Sequence, residues 1–176
     1  MQDLIYHVAM TLDGYIARPD GSAPGFVMTG PHVDAYQRQL GAYAAVVMGR
    51  ATYEIGYAYG MKPGDLPYGR RPHHVFSRSI DLPEREHLHI ERAETLATID
   101  RIKADAKGPI YLCGGGRLAG CLLEHRRIDI LRLKLAPITY GSGIRIFEGS
   151  DGLGEWDMLG QTNFGNGHML LEYRRK

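Results

Sequence analysis

A chain of 176 residues, 44% hydrophobic and 23% charged, is sized for one globular domain that buries roughly 70% of its unfolded surface. Its 21 Lys and Arg against 20 Asp and Glu leave a net charge of +1, which offers no broad electrostatic footprint to a nucleic acid or other polyanion. Two cysteines do not make a disulfide scaffold, no basic segment with a long apolar run opens the chain, and no stretch nears about 18 apolar residues, so a soluble cytoplasmic protein with no membrane partner is expected.

In chain order, an apolar, β-branched run predicts a strand over 4–10, and Pro31 opens a helix that continues over 33–43. A strand over 44–48 follows, and then a Gly/Tyr/Pro-rich stretch, 56–72, long enough to be a loop beside a site. Residues 74–76 form a short strand, and Leu96, Ile99 and Ile102 mark a helix over 95–106. A strand over 110–113 leads into a helix over 117–126 whose buried side is Leu118, Cys121 and Leu122, and a strand over 131–138 comes next. From Trp156 the pattern changes: Asn166-Gly167 is a turn signal between two strands, predicting an antiparallel hairpin at a sheet edge. Alternating strands and helices before it indicate an α/β sheet with parallel crossovers.

Three strand ends share one chemical feature. In VVMGRATYE the strand runs into Gly49, Arg50 and Thr52, where backbone N–H groups, a hydroxyl and a helix dipole face an anion. In HHVFSRSI the strand is followed by Ser77 and Arg78, a hydroxyl and a guanidinium suited to a phosphate. In IYLCGGGRLAG, Gly114, Gly115 and Gly116 precede a helix whose free N–H groups bind an anion only where a ligand approaches the backbone closely. Ligands of parallel sheets lie across the carboxyl ends of strands, so three such ends point to one polyphosphate dinucleotide, and the arginines and serine favour the extra 2′-phosphate of NADPH. A Rossmann fingerprint over Gly114 to Ala119 fails its own check: the strand that follows ends in Pro137-Ile138 and not in an acidic residue. Taken singly, Arg50 and Arg78 also fit solvated surface positions.

The order of these motifs resembles the dihydrofolate reductase-like superfamily, and more closely the C-terminal reductase domain of the bifunctional riboflavin-biosynthesis deaminase/reductase and its stand-alone bacterial relatives. The resemblance is carried by MTLDGYIA from Met10, VVMGRATYE from Val46, VFSRSID from Val75, IYLCGGGRLAGCLLE from Ile110 and IDILRLKLAPITYGSGIRIF from Ile128. It implies a three-layer α/β fold: a mostly parallel central sheet, helices on both faces, an antiparallel C-terminal edge. It also implies NADPH as cofactor, with Gly49, Arg50 and Thr52 at the adenosine phosphate and pyrophosphate, Ser77 and Arg78 at the 2′-phosphate, and Gly114, Gly115, Gly116, Arg117 and Leu118 along the pyrophosphate. A cis peptide between Gly114 and Gly115 belongs to the same implication.

For the substrate side the resemblance places Asp13, in the loop after the first strand, near the nicotinamide, although Asp-Gly is equally a turn pair. Asp34 stands within about one residue of a buried acid that helps protonate the substrate in dihydrofolate reductases, although an Asp at a helix start also compensates the dipole. The implied reaction is hydride transfer from NADPH to a C=N bond of a small heterocycle, a pyrimidine, pterin or relative; the alternative is a nucleotide-binding or sensing protein without efficient turnover. A homodimer is implied as well. Among the remaining motifs, His73-His74 and His87-x-His89 lack a third ligand at a metal spacing, so no metal is expected. Arg70, Arg71 and Lys62 are candidates for a substrate phosphate against their plain reading as exposed charges, and Arg174-Arg175-Lys176 reads as a solvated terminus.

Overall fold

The computed structural model describes residues 1–83 and 85–176. Its elements are β1 (Leu4–Thr11), β2 (Tyr15–Ala17), α1 (Pro31–Leu40), β3 (Ala45–Gly49), α2 (Arg50–Glu54), a 3-10 helix (Ile55–Tyr59), β4 (His73–Phe76), β5 (Leu88–Glu91), α3 (Thr95–Asp105), β6 (Ile110–Gly114), α4 (Gly116–Glu124), β7 (Ile130–Ala136), β8 (Ile144–Arg145), β9 (Trp156–Asn163) and β10 (Met169–Arg175). Eight strands form one sheet in the order β5-β4-β3-β6-β1-β7-β10-β9, and β2 pairs with β8 apart from it. Neighbours from β5 to β7 run parallel, while β10 is antiparallel to both β7 and β9. The parallel sheet and the C-terminal hairpin match the sequence expectation.

Strand alternation sorts side chains to two faces. Leu4, Tyr6, Ala45, Val47, Ile110, Leu112 and Leu131 meet Ile99 and Ile102 of α3 and Ala119 and Leu122 of α4. Full burial of a side chain such as Leu112 or Leu122 stabilises the fold by about 1.5–3 kcal/mol. On the other face Ile5, Val46, Met48, Val75 and Tyr111 meet Tyr43 and Tyr53, with Tyr36 and Leu40 of α1 and Tyr57, Leu66 and Tyr68 around them. This second layer is rich in tyrosine and holds polar groups, which makes it the chemically informative one.

Element ends differ from expectation for local reasons. The helix expected over 33–43 begins at Pro31 and stops at Leu40, because the Arg71 guanidinium donates to the carbonyls of Leu40 and Tyr43 and closes that end. Arg71 is therefore engaged in the fold through its Nη1. At α3, Glu94 caps the N-terminus by accepting from the N–H groups of Leu96 and Ala97. Strands β2 and β8 were not legible: at three and two residues they carry no period, and they are strands only because they pair with each other apart from the main sheet, whereas β5 takes in His89 of the pair His87-x-His89, whose alternation suggested a strand.

Two buried histidines make stability depend on pH. His7 is held neutral with a pKa pushed down to about 2, and His73 with one near 4, in both mainly by burial. Below the ordinary histidine value near 6.5 the unfolded chain takes up protons that the folded chain refuses, so stability falls as pH drops from about 6.5 towards 4. The expected slope approaches about 1.4 kcal/mol per pH unit for each histidine. Urea midpoints measured from pH 7 to pH 5 check this; a flat profile would contradict the neutral buried rings.

Candidate active site

The sheet order sets β4, β3 and β6 side by side, so the three anion-friendly strand ends become neighbours. Arg50, at the first turn of α2, donates from Nη1 to Ser79 Oγ at 2.8 Å and from Nε to Glu54 at 2.9 Å, tying the end of β3 to the loop after β4. In that loop the Ser77 hydroxyl accepts from the N–H groups of Ser79 and Ile80, and Arg92 holds the carbonyls of Arg78 and Ile80. The Arg78 guanidinium itself is exposed, with no hydrogen bond or ion pair to another side chain among the described residues. The backbone around it is fixed and its charge is free.

The glycine turn faces the same place. A Cβ on Gly115 would meet Thr52 Oγ1 at 3.2 Å and the backbone of Gly49 at 3.8 Å, so the ends of β3 and β6 touch through this one bare residue. Gly115 also serves as N-cap of α4 without a side-chain cap, leaving the N–H groups of Gly116, Arg117 and Leu118 in the first turn as free donors at the positive end of the helix. Arg117 is exposed beside them, in a loose pair with Glu148 at 3.7 Å. A set of free donors with nearby cations fits a pyrophosphate.

One implication of the resemblance is corrected here. The Gly114-Gly115 peptide is trans; the chain turns instead through φ angles of +141° at Gly114 and +99° at Gly115, which only residues without a Cβ reach freely. The third glycine, in turn, is required by the protein itself. A Cβ on Gly116 would stand 2.2 Å from the Arg145 carbonyl oxygen, and one on Gly120 would stand 2.4 Å from that of Glu148. Both glycines seat the 144–148 segment against α4.

Neither carboxylate expected near the substrate is placed as a free acid. Asp13 accepts from the Thr11 hydroxyl, from Tyr140 N at 3.1 Å and from Gly141 N at 2.7 Å, and these bonds, the Thr11 one foremost, hold its pKa below the usual range. It joins the loop after β1 to the loop after β7. Asp13→Ala is expected to free the 139–143 backbone, seen as faster amide exchange at Tyr140 and Gly141 with the sheet core still protected. Asp34 is exposed in the first turn of α1, the place of a dipole-compensating residue and not of a buried acid.

The α1 side of the sheet carries polar residues that motif reading missed. His7 Nδ1 lies 3.0 Å from Tyr43 Oη, and Tyr43 in turn accepts from Arg132. Tyr36 and Tyr111 share a hydrogen bond of 2.7 Å, and the Tyr68 hydroxyl lies 2.9 Å from Cys113 Sγ. Burial pushes Tyr36, Tyr68, Tyr111 and Cys113 up. Lys134 reaches over Tyr36, its Nζ 3.3 Å from the ring centroid. Alternation along β1 and β7 held the signal: His7, Arg132 and Lys134 occupy inward positions where a covered sheet ordinarily carries apolar side chains.

The other histidine and arginine candidates are engaged elsewhere. His73 stacks on Tyr68 and contacts the Arg71 carbonyl, while His74 bonds Glu91 and stacks on His89. Among the described residues no group of three or more His, Cys, Asp or Glu is arranged to hold a metal ion, and none of the helices is long and apolar enough to cross a membrane. Arg70 pairs with Glu86 on the surface, Lys62 is exposed, and Arg174 pairs with Asp3.

Comparison with known proteins agrees with this architecture. The profile of the RibD C-terminal domain matches residues 2–170. The uncharacterized protein YwjB of Bacillus subtilis strain 168 is 27% identical over 167 residues, covering 94% of each chain. The Thermotoga maritima diaminohydroxyphosphoribosylaminopyrimidine deaminase/5-amino-6-(5-phosphoribosylamino)uracil reductase superimposes with a TM-score of 0.73 at 17% identity, over 99% of this chain and 57% of that one. Dihydrofolate reductase from Enterococcus faecalis, complexed with NADP(H) and RAB-propyl, gives 0.68 at 19% identity, over 99% and 96%. The sheet order is thus that of a dihydrofolate reductase-like fold, and with the profile spanning nearly its whole length, this chain belongs to the RibD C-terminal domain family.

Proposed function

We propose that the chain is an NADPH-dependent reductase that delivers hydride to a C=N bond of a pyrimidine, pterin or related heterocycle. One observation carries this reading: β4, β3 and β6 lie side by side, the ends of β3 and β6 touch at Gly115 beside the free first-turn donors of α4, and Arg50 at the end of β3 binds Ser79 in the loop that bears the unpaired Arg78. The riboflavin-biosynthesis relatives and the NADP(H) complex of the Enterococcus faecalis enzyme support it. Thr52 and the N–H groups of Gly116 to Leu118 would hold the pyrophosphate, and Arg78, with Ser77 and Arg50 behind it, the 2′-phosphate. Bound there, NADPH supplies the hydride at its nicotinamide C4. The protein's part is to align that carbon with the acceptor and to exclude water beneath α1.

Titration with NADPH and NADH, followed by nicotinamide fluorescence, tests the site; at least tenfold tighter NADPH binding is expected, and no binding of either nucleotide overturns the proposal. Acceptor-dependent loss of NADPH absorbance then separates a reductase from a nucleotide-binding protein without turnover. A homodimer is proposed as well: β9 is an open sheet edge on which Met158 and Leu159 are each 54% exposed, a pairing surface in a strand without a partner on its outer side. Sedimentation at micromolar concentration should give twice the chain mass, and Leu159→Lys should shift it towards the monomer.

A further inference from the structure

Lys134 is placed where a surface lysine would not be. It leaves β7 two residues before the strand's carboxyl end, opposite Ala9 of β1 and Leu170 of β10, and is only partly exposed. The small Ala9 side chain leaves room for it to pass over β1 towards the Tyr36 ring. Among the described residues no carboxylate lies within ion-pair distance of its Nζ. The titratable and charged groups around it are Tyr36 from α1, His7 from β1, Tyr111 and Cys113 from β6, Tyr68 from the loop before β4, and Arg132 on its own strand; Glu172 of β10 is engaged with Arg132 at 2.8 Å. Asp34 of α1 is exposed. A buried ammonium without a counter-charge is strongly disfavoured and persists where function requires it.

From this geometry we propose that Lys134 is the catalytic proton donor of the reduction, a role that rests on the reductase reading above. As hydride from the reduced nicotinamide bonds to the acceptor carbon, the C=N π pair moves to nitrogen and takes a proton from the Lys134 ammonium. NADPH is oxidised to NADP⁺, the imine is reduced to an amine, and the neutral lysine regains a proton from solvent. The alternatives nearby are poorly placed: Asp13 is bound to the 140–141 backbone, Asp34 faces solvent, and the tyrosines and Cys113 hold their protons more tightly than they would in water. Burial lowers the Lys134 pKa to about 8, close to what a general acid needs near neutral pH.

The test compares wild type with Lys134→Met and Lys134→Arg, using 5-amino-6-(5-phosphoribosylamino)uracil with NADPH, in parallel with dihydrofolate, from pH 6 to 10. Wild-type kcat should fall above about pH 8 with at least one acceptor. Both variants should lose roughly a hundredfold or more in kcat and the alkaline limb with it, since arginine keeps the charge but not a transferable proton. Two readouts need no turnover. Lysine-labelled protein should show one ammonium titrating near 8 that is missing from Lys134→Met, and Lys134→Met should melt at or above the wild-type temperature, as removal of an unpaired buried charge predicts. Turnover that survives in both variants with its pH profile unchanged, or a Lys134 midpoint near 10.5, overturns the proton-donor role and leaves the reductase standing. Absence of wild-type turnover with either acceptor removes the reductase reading and this role together.

Discussion

Gly116→Ala is expected to lower the melting temperature by roughly 6–12 °C, corresponding to about 3 kcal/mol in a chain of this size. The added Cβ would lie 2.2 Å from the Arg145 carbonyl oxygen and 3.2 Å from both Glu148 Cβ and Ile144 Cγ2, so backbone must move and no flexible side-chain tip can yield in its place. Gly49→Ala is the matched control. Gly49 has φ −80° and open space where its Cβ would project, and the loss of a glycine N-cap to alanine costs about 0.5 kcal/mol. Differential scanning calorimetry of the two variants separates a glycine that seats the 144–148 segment from one that borders a ligand. Equal melting temperatures would show that α4 and that segment do not pack as closely as the structure has them.

Arg78→Ala is expected to erase most of the preference for NADPH over NADH, weakening NADPH at least tenfold, about 1.4 kcal/mol, while leaving NADH binding within a factor of two or so. The fold should stay within about 0.5 kcal/mol of wild type, because the side chain is exposed and no partner loses a bond with it. Arg50→Ala should behave differently. Its guanidinium holds Ser79 and Glu54, so its removal loosens the loop that carries Arg78 and weakens both nucleotides, NADPH more. Raising ionic strength should weaken wild-type NADPH binding more than that of Arg78→Ala, since a partly exposed phosphate contact is screened by salt. Fluorescence titrations at two salt concentrations decide it, and an unchanged nucleotide preference in Arg78→Ala would move the 2′-phosphate away from this loop.

Much of the molecule was legible without coordinates. Apolar runs separated by helical patterns marked the parallel core strands and Asn166-Gly167 the C-terminal hairpin, because each of these is a local pattern: a period or a turn pair. The resemblance, not the local pattern, put Asp13 and Asp34 beside a substrate; a carboxylate's availability depends on which distant backbone it meets, and Tyr140 and Gly141 lie 127 and 128 residues from Asp13.

By itself, the sequence determined the α/β sheet and the order of its motifs, since the sheet follows from propensity, period and composition along continuous stretches, while the family resemblance rested on those motifs taken together. Only the tertiary structure decided that the 144–148 carbonyls leave no room for a Cβ at Gly116 and Gly120, that the Gly114-Gly115 turn is made by positive φ angles in a trans chain, and that His7, Tyr36, Tyr68, Tyr111, Cys113 and Lys134 face one another beneath α1. Those groups come from β1, α1, β6, β7 and the loop before β4. Their juxtaposition is set by parallel strand register and by the seating of α1 against the sheet, both of which exist only once distant segments have been packed together.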